Sequence, residues 1–379
     1  MHPFIRFLSE FKTKHIGVLI DDLSGSRAAI VAPSETISAE RVNHILALTG
    51  GLTFVALSPE RASTFMLSSM ARPATSLDTT ANNTTTSHYV SVEAREGITT
   101  GISAADRAKT LSILGARTPQ PRALVKPGHI FPVATRDGGV LVKTDIPEGA
   151  LDLVRLAGFT DAALYVDLLD RNGELVGADE ARRISAAEGM PVTTLSELIG
   201  YRLAHESLVR RVAEATLPTT LAGEVRAIVY RSSISDVEHV ALAKGTFFSE
   251  MSVLVRVQPE HTVADVFGGA SPASRLHLQN SLAAIGQRGS GVLLYLRRPF
   301  IDPKGSSTQH LREDSTSPKN AAMMREYGVG AQILRDLGIS KVEILSSTQR
   351  ALEGLSSFGI SVVALHPIPS LISSEGHTV

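Results

Sequence analysis

Cysteine is absent from this chain of 379 residues, and so is tryptophan. Without cysteine there are no disulfides, no thiolate zinc sites and no cysteine nucleophiles. An excess of charge is missing too: 37 Lys and Arg against 38 Asp and Glu leave a net charge of -1. That balance gives no general attraction to nucleic acid or to an anionic membrane, so neither is expected as a partner. No apolar run approaches the roughly 18–20 residues that span a bilayer. The start, Met1 to Lys14, mixes charges with aromatics and lacks a long apolar core. It predicts no export signal, and hence a cytoplasmic location.

What is present is ordinary globular material, 43% hydrophobic and 20% charged, long enough for two domains. The apolar run Ile16–Ile20, closed by Asp21-Asp22, reads as a strand entering a polar loop. Ser38 precedes a helical pattern (Val42, Ile45, Leu46, Leu48) that stops at Gly50-Gly51. Thr53–Leu57, Tyr89–Glu93 and Ala163–Leu168 read as strands, 75–88 as a polar surface loop, and Asn172-Gly173 as a turn. Ser103 and Asp106 form a capping box at a helix start. A charged helix is predicted from about Leu195 to Ala215, broken at Leu217-Pro218-Thr219-Thr220. Beyond it, Val225–Tyr230, Val237–Ala243, Val253–Gln258, Gly291–Leu296, Val342–Leu345 and Ile360–Ala364 are strand candidates. Helices are expected near Ala273–Ile285 and from Asn320 to Leu337. The alternation predicts an α/β fold of mixed (α+β) sheets covered by helices.

Ordered motifs carry a resemblance. Arg95-Glu96-Gly97-Ile98-Thr99-Thr100-Gly101-Ile102-Ser103-Ala104-Ala105-Asp106-Arg107, Lys126–Pro132, Gly138–Leu141, Asp152–Gly158 and Thr193–Glu206 resemble 3,4-dihydroxy-2-butanone-4-phosphate synthase. Gly223–Ala227, Val237–Leu242, Asp265–Gly268 and Arg325–Gly338 resemble GTP cyclohydrolase II. The order is that of the bifunctional riboflavin enzymes. It implies a synthase-like domain over 1–206, a linker over 207–222 and a cyclohydrolase-II-like domain over 223–379. By the same resemblance the chain is expected as a homodimer, because family synthases build their site across a dimer interface.

The resemblance also marks what is gone. Rearranging ribulose 5-phosphate with loss of formate needs a base and metal ions on the diol oxygens. The family supplies them from Asp-Asp-Glu-Asp-Arg-Glu-Asn-Glu-Gly-Asp and from Gly-His-Thr-Glu. Here the loop reads Asp21-Asp22-Leu23-Ser24-Gly25-Ser26-Arg27-Ala28-Ala29, and the later motif Asp145-Ile146-Pro147-Glu148. Magnesium is expected only if Asp21, Asp22 or Glu148 converge. The residual catalytic candidates are Asp21, Asp22, His129, Glu148 and Asp167. Thr99, Thr100, Asp106 and Lys143 are the substrate-binding candidates, with Lys143 standing for an arginine that would meet a phosphate. In the second domain the positions of three zinc thiolates hold His261, Pro272 and Ser274, so no zinc is expected. Of the catalytic Arg-Gln-Glu-Gly-Arg run only Arg297 persists, and the base-reading run is Ser346-Ser347-Thr348-Gln349.

Two functional expectations follow. The first is a pseudoenzyme: a degenerate paralogue of the bifunctional riboflavin enzyme, without cyclohydrolase activity, with a binding, regulatory or repurposed role in flavin metabolism. The second is an enzyme with retained or altered synthase-type chemistry on ribulose 5-phosphate or a related phosphosugar. Either takes a phosphosugar or nucleotide as ligand. Bland readings stand beside these: Gly97, Gly101 and Ser103 serve shape, Asp21-Asp22 is a solvated strand end, and His129 is a satisfied core or interface histidine.

Overall fold

The structure is a computed structural model that describes residues 3–23, 27–70, 87–233, 237–248, 251–267, 272–297, 319–346, 355 and 360–372. The chain divides into two compact units, Met1–Tyr201 and Arg202–Val379.

Unit 1 is a mixed eight-stranded sheet with helices. Its strands are β1 (Gly17–Asp21), β2 (Arg27–Pro33), β3 (Phe54–Leu57), β4 (Ser87–His88), β5 (Val92–Ala94), β6 (Leu124–Ala134), β7 (Ala162–Asp167) and β8 (Val192–Thr194). They run in the order β4-β6-β3-β7-β2-β1-β8, with β5 also paired to β6. The helices are α1 (Pro3–Lys14), α2 (Ala39–Thr49), α3 (Pro59–Thr64), α4 (Ala104–Gly115), α5 (Ile146–Leu156) and α6 (Ala178–Ala187), and α7 (Leu195–His205) begins in this unit. Central strands such as β1 are buried on both faces, which is why Ile16–Ile20 reads as a continuous apolar run. In α1, Phe4, Phe7, Leu8 and Phe11 recur at helical spacing and are all buried. The Ser38 hydroxyl caps α2 through Arg41 N–H, and Gly50 ends it in the left-handed conformation.

Unit 2 holds β9 (Val209–Thr219), β10 (Gly223–Ser232), β11 (Glu238–Lys244), β12 (Ser252–Pro259), β13 (Gly291–Leu296), β14 (Lys341–Leu345) and β15 (Ser361–His366). The sheet order is β15-β14-β12-β13-β11-β10-β9. Strands β12 to β15 are mutually parallel, while β9, β10 and β11 form an antiparallel flank. Helices α8 (Thr262–Phe267), α9 (Pro272–Arg288) and α10 (Lys319–Asp336) connect them. Leu254, Ile285, Leu293 and Leu345 form a buried cluster between α9 and the sheet.

Three expectations fail here. The helix predicted through Ala215 ends at His205, and the segment 207–222 is not a linker, since Val209–Thr219 forms β9 on β10. Pairing with β10 satisfies one side of the β9 backbone and overrides the helix-like spacing of its charges. The strand predicted at Tyr89–Glu93 is realised only at its end, in β5 (Val92–Ala94), since β4 stops at His88. Residues 71–86, most of the expected surface loop, lie outside the described set.

Candidate functional site

In unit 1 the motif Arg95–Arg107 connects β5 to α4. The Ser103 hydroxyl accepts from Asp106 N–H, as an N-cap does. The Asp106 carboxylate then turns away from the helix and toward the preceding loop. Its Oδ1 accepts from Thr99 N–H at 3.2 Å, and its Oδ2 accepts from the Thr99 hydroxyl at 2.9 Å and from Gly101 N–H at 3.1 Å. Desolvation opposes ionisation, but these hydrogen bonds win and hold Asp106 below the usual carboxylate range. On the other side of the loop, His129 Nδ1 on β6 meets Glu93 Oε2 on β5 at 3.1 Å. Gly101 has φ +79°, and a Cβ there would overlap Glu93 Oε2 and press on His129 Nδ1. Asp106 and the Glu93–His129 pair therefore clamp the Thr99–Gly101 loop from two sides, with Thr100 exposed at its tip.

Gly128 is needed for the same framework. Its N–H donates to the Ser91 hydroxyl, and a Cβ would run into the Val92 carbonyl and Glu93 N of the neighbouring strand. Gly128→Ala is expected to cost about 2–3 kcal/mol, because backbone cannot rotate away as a side chain can. Urea unfolding of the two proteins measures it, and equal midpoints would refute the packing argument.

The remaining candidates belong to a cluster of charge. Arg27, at the end of the loop that the family fills with acids, donates from Nε and Nη2 to the two Asp167 oxygens at 2.7 and 3.1 Å. Its Nη1 reaches Asp145 Oδ1 at 3.1 Å. Lys143 Nζ lies 2.9 Å from Asp145 Oδ2 and 3.8 Å from Glu148 Oε1. Burial alone would raise the Asp145 pKa, but Lys143 and Arg27 outweigh it and hold the group low. Glu148 goes the other way. It is 1% exposed, its Oε2 has no hydrogen-bond partner, and burial pushes its pKa up to about 7 against the pull of Lys143.

The acids do not gather as ligands. Asp21 Oδ1 accepts from Leu23 N–H in the turn after β1. Asp22 accepts from the Ser196 N–H and hydroxyl, as a cap on α7. Asp167 is held by Arg27, and Glu148 faces Lys143. Among the described residues no group of three or more His, Asp or Glu side chains is placed to hold a metal ion. Magnesium needs several hard oxygens at octahedral geometry, but here Asp167 and Glu148 face cationic side chains while Asp21 and Asp22 serve separate turns. These residues do not fit the metal.

In unit 2, His261 follows β12, while Pro272 and Ser274 lie in the first turn of α9. The His261 N–H and the Ser274 hydroxyl both donate to Asp265, at 2.9 and 2.6 Å. His277 is held below its usual pKa by burial and by Arg256. Zinc needs several converging lone pairs, but of the three thiolate positions Pro272 carries no donor atom and the Ser274 hydroxyl is committed to Asp265, so these residues do not fit zinc either. Arg297 lies 3.8 Å from Glu260. His239, buried on β11, is pushed down to about 4 by burial and by Arg297, and so stays neutral. Ser347, Thr348 and Gln349 of the base-reading run fall outside the described residues.

Sequence reasoning missed Arg27, Glu93, Asp145 and Asp265 as organisers. A signal existed for Arg27, a lone cation in a loop where the family has acids; for Glu93 there was none. No described helix is long and apolar enough to cross a membrane.

Comparison with known proteins places these two units. Residues 6–201 match the 3,4-dihydroxy-2-butanone 4-phosphate synthase family and residues 210–367 the GTP cyclohydrolase II family. The riboflavin biosynthesis protein RibBA of Aquifex aeolicus is 31% identical over 95% of this chain and 93% of its own length. A probable bifunctional riboflavin biosynthesis protein of rice, RIBA 2, chloroplastic, is 36% identical over 76% of this chain. The match spans only 54% of the rice protein's length. Among solved structures, RibBX from A. baumannii, described as a two domain 3,4-dihydroxy-2-butanone 4-phosphate synthase, superposes with TM-score 0.77 at 28% identity. That match covers 96% of this chain and 98% of the other. The chain thus belongs to the riboflavin biosynthesis family in which a 3,4-dihydroxy-2-butanone 4-phosphate synthase unit precedes a GTP cyclohydrolase II unit.

Proposed function

We propose that the chain is a degenerate member of this family, a cytoplasmic homodimer that catalyses neither parent reaction and acts by binding or regulation in flavin metabolism. One observation carries the reading: Arg27 and Lys143 neutralise Asp145 and Asp167 internally, leaving no described set of acids free for magnesium. Synthase chemistry needs those metal ions to hold and polarise the diol oxygens of the sugar. In unit 2, the cyclohydrolase reaction needs a zinc-activated water, and its thiolates are absent.

The preserved loop favours a second reading. Thr99, Thr100, Gly101 and His129 keep a built surface held by Asp106 and Glu93, suited to the phosphate of a phosphosugar. Lys143 contributes less to such binding than its position implies, because its charge is already shared with Asp145. RibBX, a two domain synthase of similar fold, supports the same reading by analogy. One assay separates the two. Purified full-length protein is incubated with ribulose 5-phosphate and magnesium, and formate is measured. No formate above the buffer blank is the expected result; formate at the turnover of an ordinary synthase would establish the second reading and end the first.

A further inference from the structure

The zinc positions of unit 2 are bridged by something else. Asp265, on α8 and 7% exposed, accepts three hydrogen bonds: from His261 N–H at 2.9 Å, from the Ser274 hydroxyl at 2.6 Å and from the Tyr295 hydroxyl at 2.9 Å. One of these donors, the Ser274 side chain, stands where the family places a zinc thiolate, while the His261 donor is a backbone amide beside another such position. A zinc ion is a cation ringed by lone pairs; this is an anion ringed by proton donors.

We infer that the Asp265–Ser274 hydrogen bond does the structural work of the lost metal, clamping the turn after β12 to the start of α9 and to β13. Asp265 itself lies in the stretch shared with the cyclohydrolases, so the new partner is Ser274. A zinc-bound thiolate has no proton to give to a carboxylate, whereas a serine hydroxyl does. The hydroxyl is also anchored on its other side. Gln258 Nε2 donates to it at 3.1 Å, and Arg256 fixes Gln258 by donating from Nε and Nη2 to Oε1 at 3.1 and 2.6 Å. Arg256 Nη1 in turn donates to the Leu345 carbonyl at 3.0 Å on β14. A chain of hydrogen bonds therefore runs from β14 through β12 to α9 and ends on the carboxylate. Burial and the adjacent carboxylate raise the Tyr295 pKa, so its hydroxyl remains a donor throughout the neutral range. A charge-assisted bond with a buried acceptor is among the stronger ones, which suits a residue replacing a metal clamp.

The inference predicts that the clamp and zinc are interchangeable. In the full chain, Ser274→Ala should lower the calorimetric unfolding midpoint by about 3–6 °C. Asp265→Asn should lower it similarly, and the pair together by little more than the larger single effect. The triple variant His261→Cys, Pro272→Cys, Ser274→Cys should unfold early in chelator, take up one zinc per chain, and recover the parent midpoint when zinc is added. The parent should respond to neither zinc nor chelator. A Ser274→Ala protein with the parent midpoint would overturn the inference. So would a triple variant that takes up no zinc, or one that takes it up without regaining stability.

Discussion

Arg27→Ala is expected to be the most damaging single change to unit 1, lowering its stability by about 3–4 kcal/mol. The guanidinium makes three charge-assisted hydrogen bonds, two to Asp167 and one to Asp145. Their side chains are only 18% and 23% exposed. Removing the cation takes from Asp167 its one ion pair among the described residues and sets two poorly hydrated carboxylates against each other. Asp145 retains Lys143, so the loss is concentrated on Asp167. Arg27→Lys keeps the charge but not the planar fork that meets both Asp167 oxygens, and should recover less than half of the loss. Urea unfolding at pH 7 tests the series. A milder effect for alanine than for lysine would show that the pairing is incidental.

Glu148 gives the second large effect, and it depends on pH. Its carboxyl titrates at 4.5 in the unfolded chain and at about 7 when buried. A carboxyl whose folded pKa is raised binds its proton more tightly in the native state. Between these two values the folded protein holds more protons than the unfolded one, so stability falls as pH rises. The stability is fully present below about pH 4.5 and is lost as pH climbs through about 7. The whole difference amounts to about 3 kcal/mol, most of it between pH 5 and 8. Lys143 and Asp145, the charged groups facing Glu148, act in opposite senses, and burial exceeds both. Glu148→Gln removes the titration while keeping the shape. Other shifted groups such as His239 titrate alike in both proteins, so the stability of the variant relative to the parent should rise across the window and exceed it at pH 8. If the two proteins share one pH profile, Glu148 is not the source.

Much of the scaffold could be read directly, because its signals are local. The apolar run of β1, the Ser38 and Ser103 caps and the Gly50 stop depend on residues within one or two turns of each other. The charged cluster could not be read this way. Arg27 meets Asp145 and Asp167 across separations of 118 and 140 residues, and no periodicity encodes such a meeting. Asp106 was half legible: its place in the capping motif was visible, but not its turn toward Thr99 and Gly101. The absence of cysteine could be read at once. What replaced the thiolates could not, since Asp265, Ser274 and Tyr295 come together only after β12, α9 and β13 have packed. The error over 207–222 has a plain cause. A strand with no buried face has no period-two alternation, and its charges fit a helix as well as a sheet.

That exposed strand bears on how the protein behaves at high concentration. β9 closes one edge of the seven-stranded sheet, where free backbone N–H and C=O groups could template a stranger's strand. Arg210, Arg211 and Glu214 line this edge with charge, and Pro218 withholds an amide proton near its end. A growing β-aggregate would have to desolvate those charges and skip that amide. The residues that made β9 hard to recognise are the same ones that guard the sheet against edge-to-edge polymerisation.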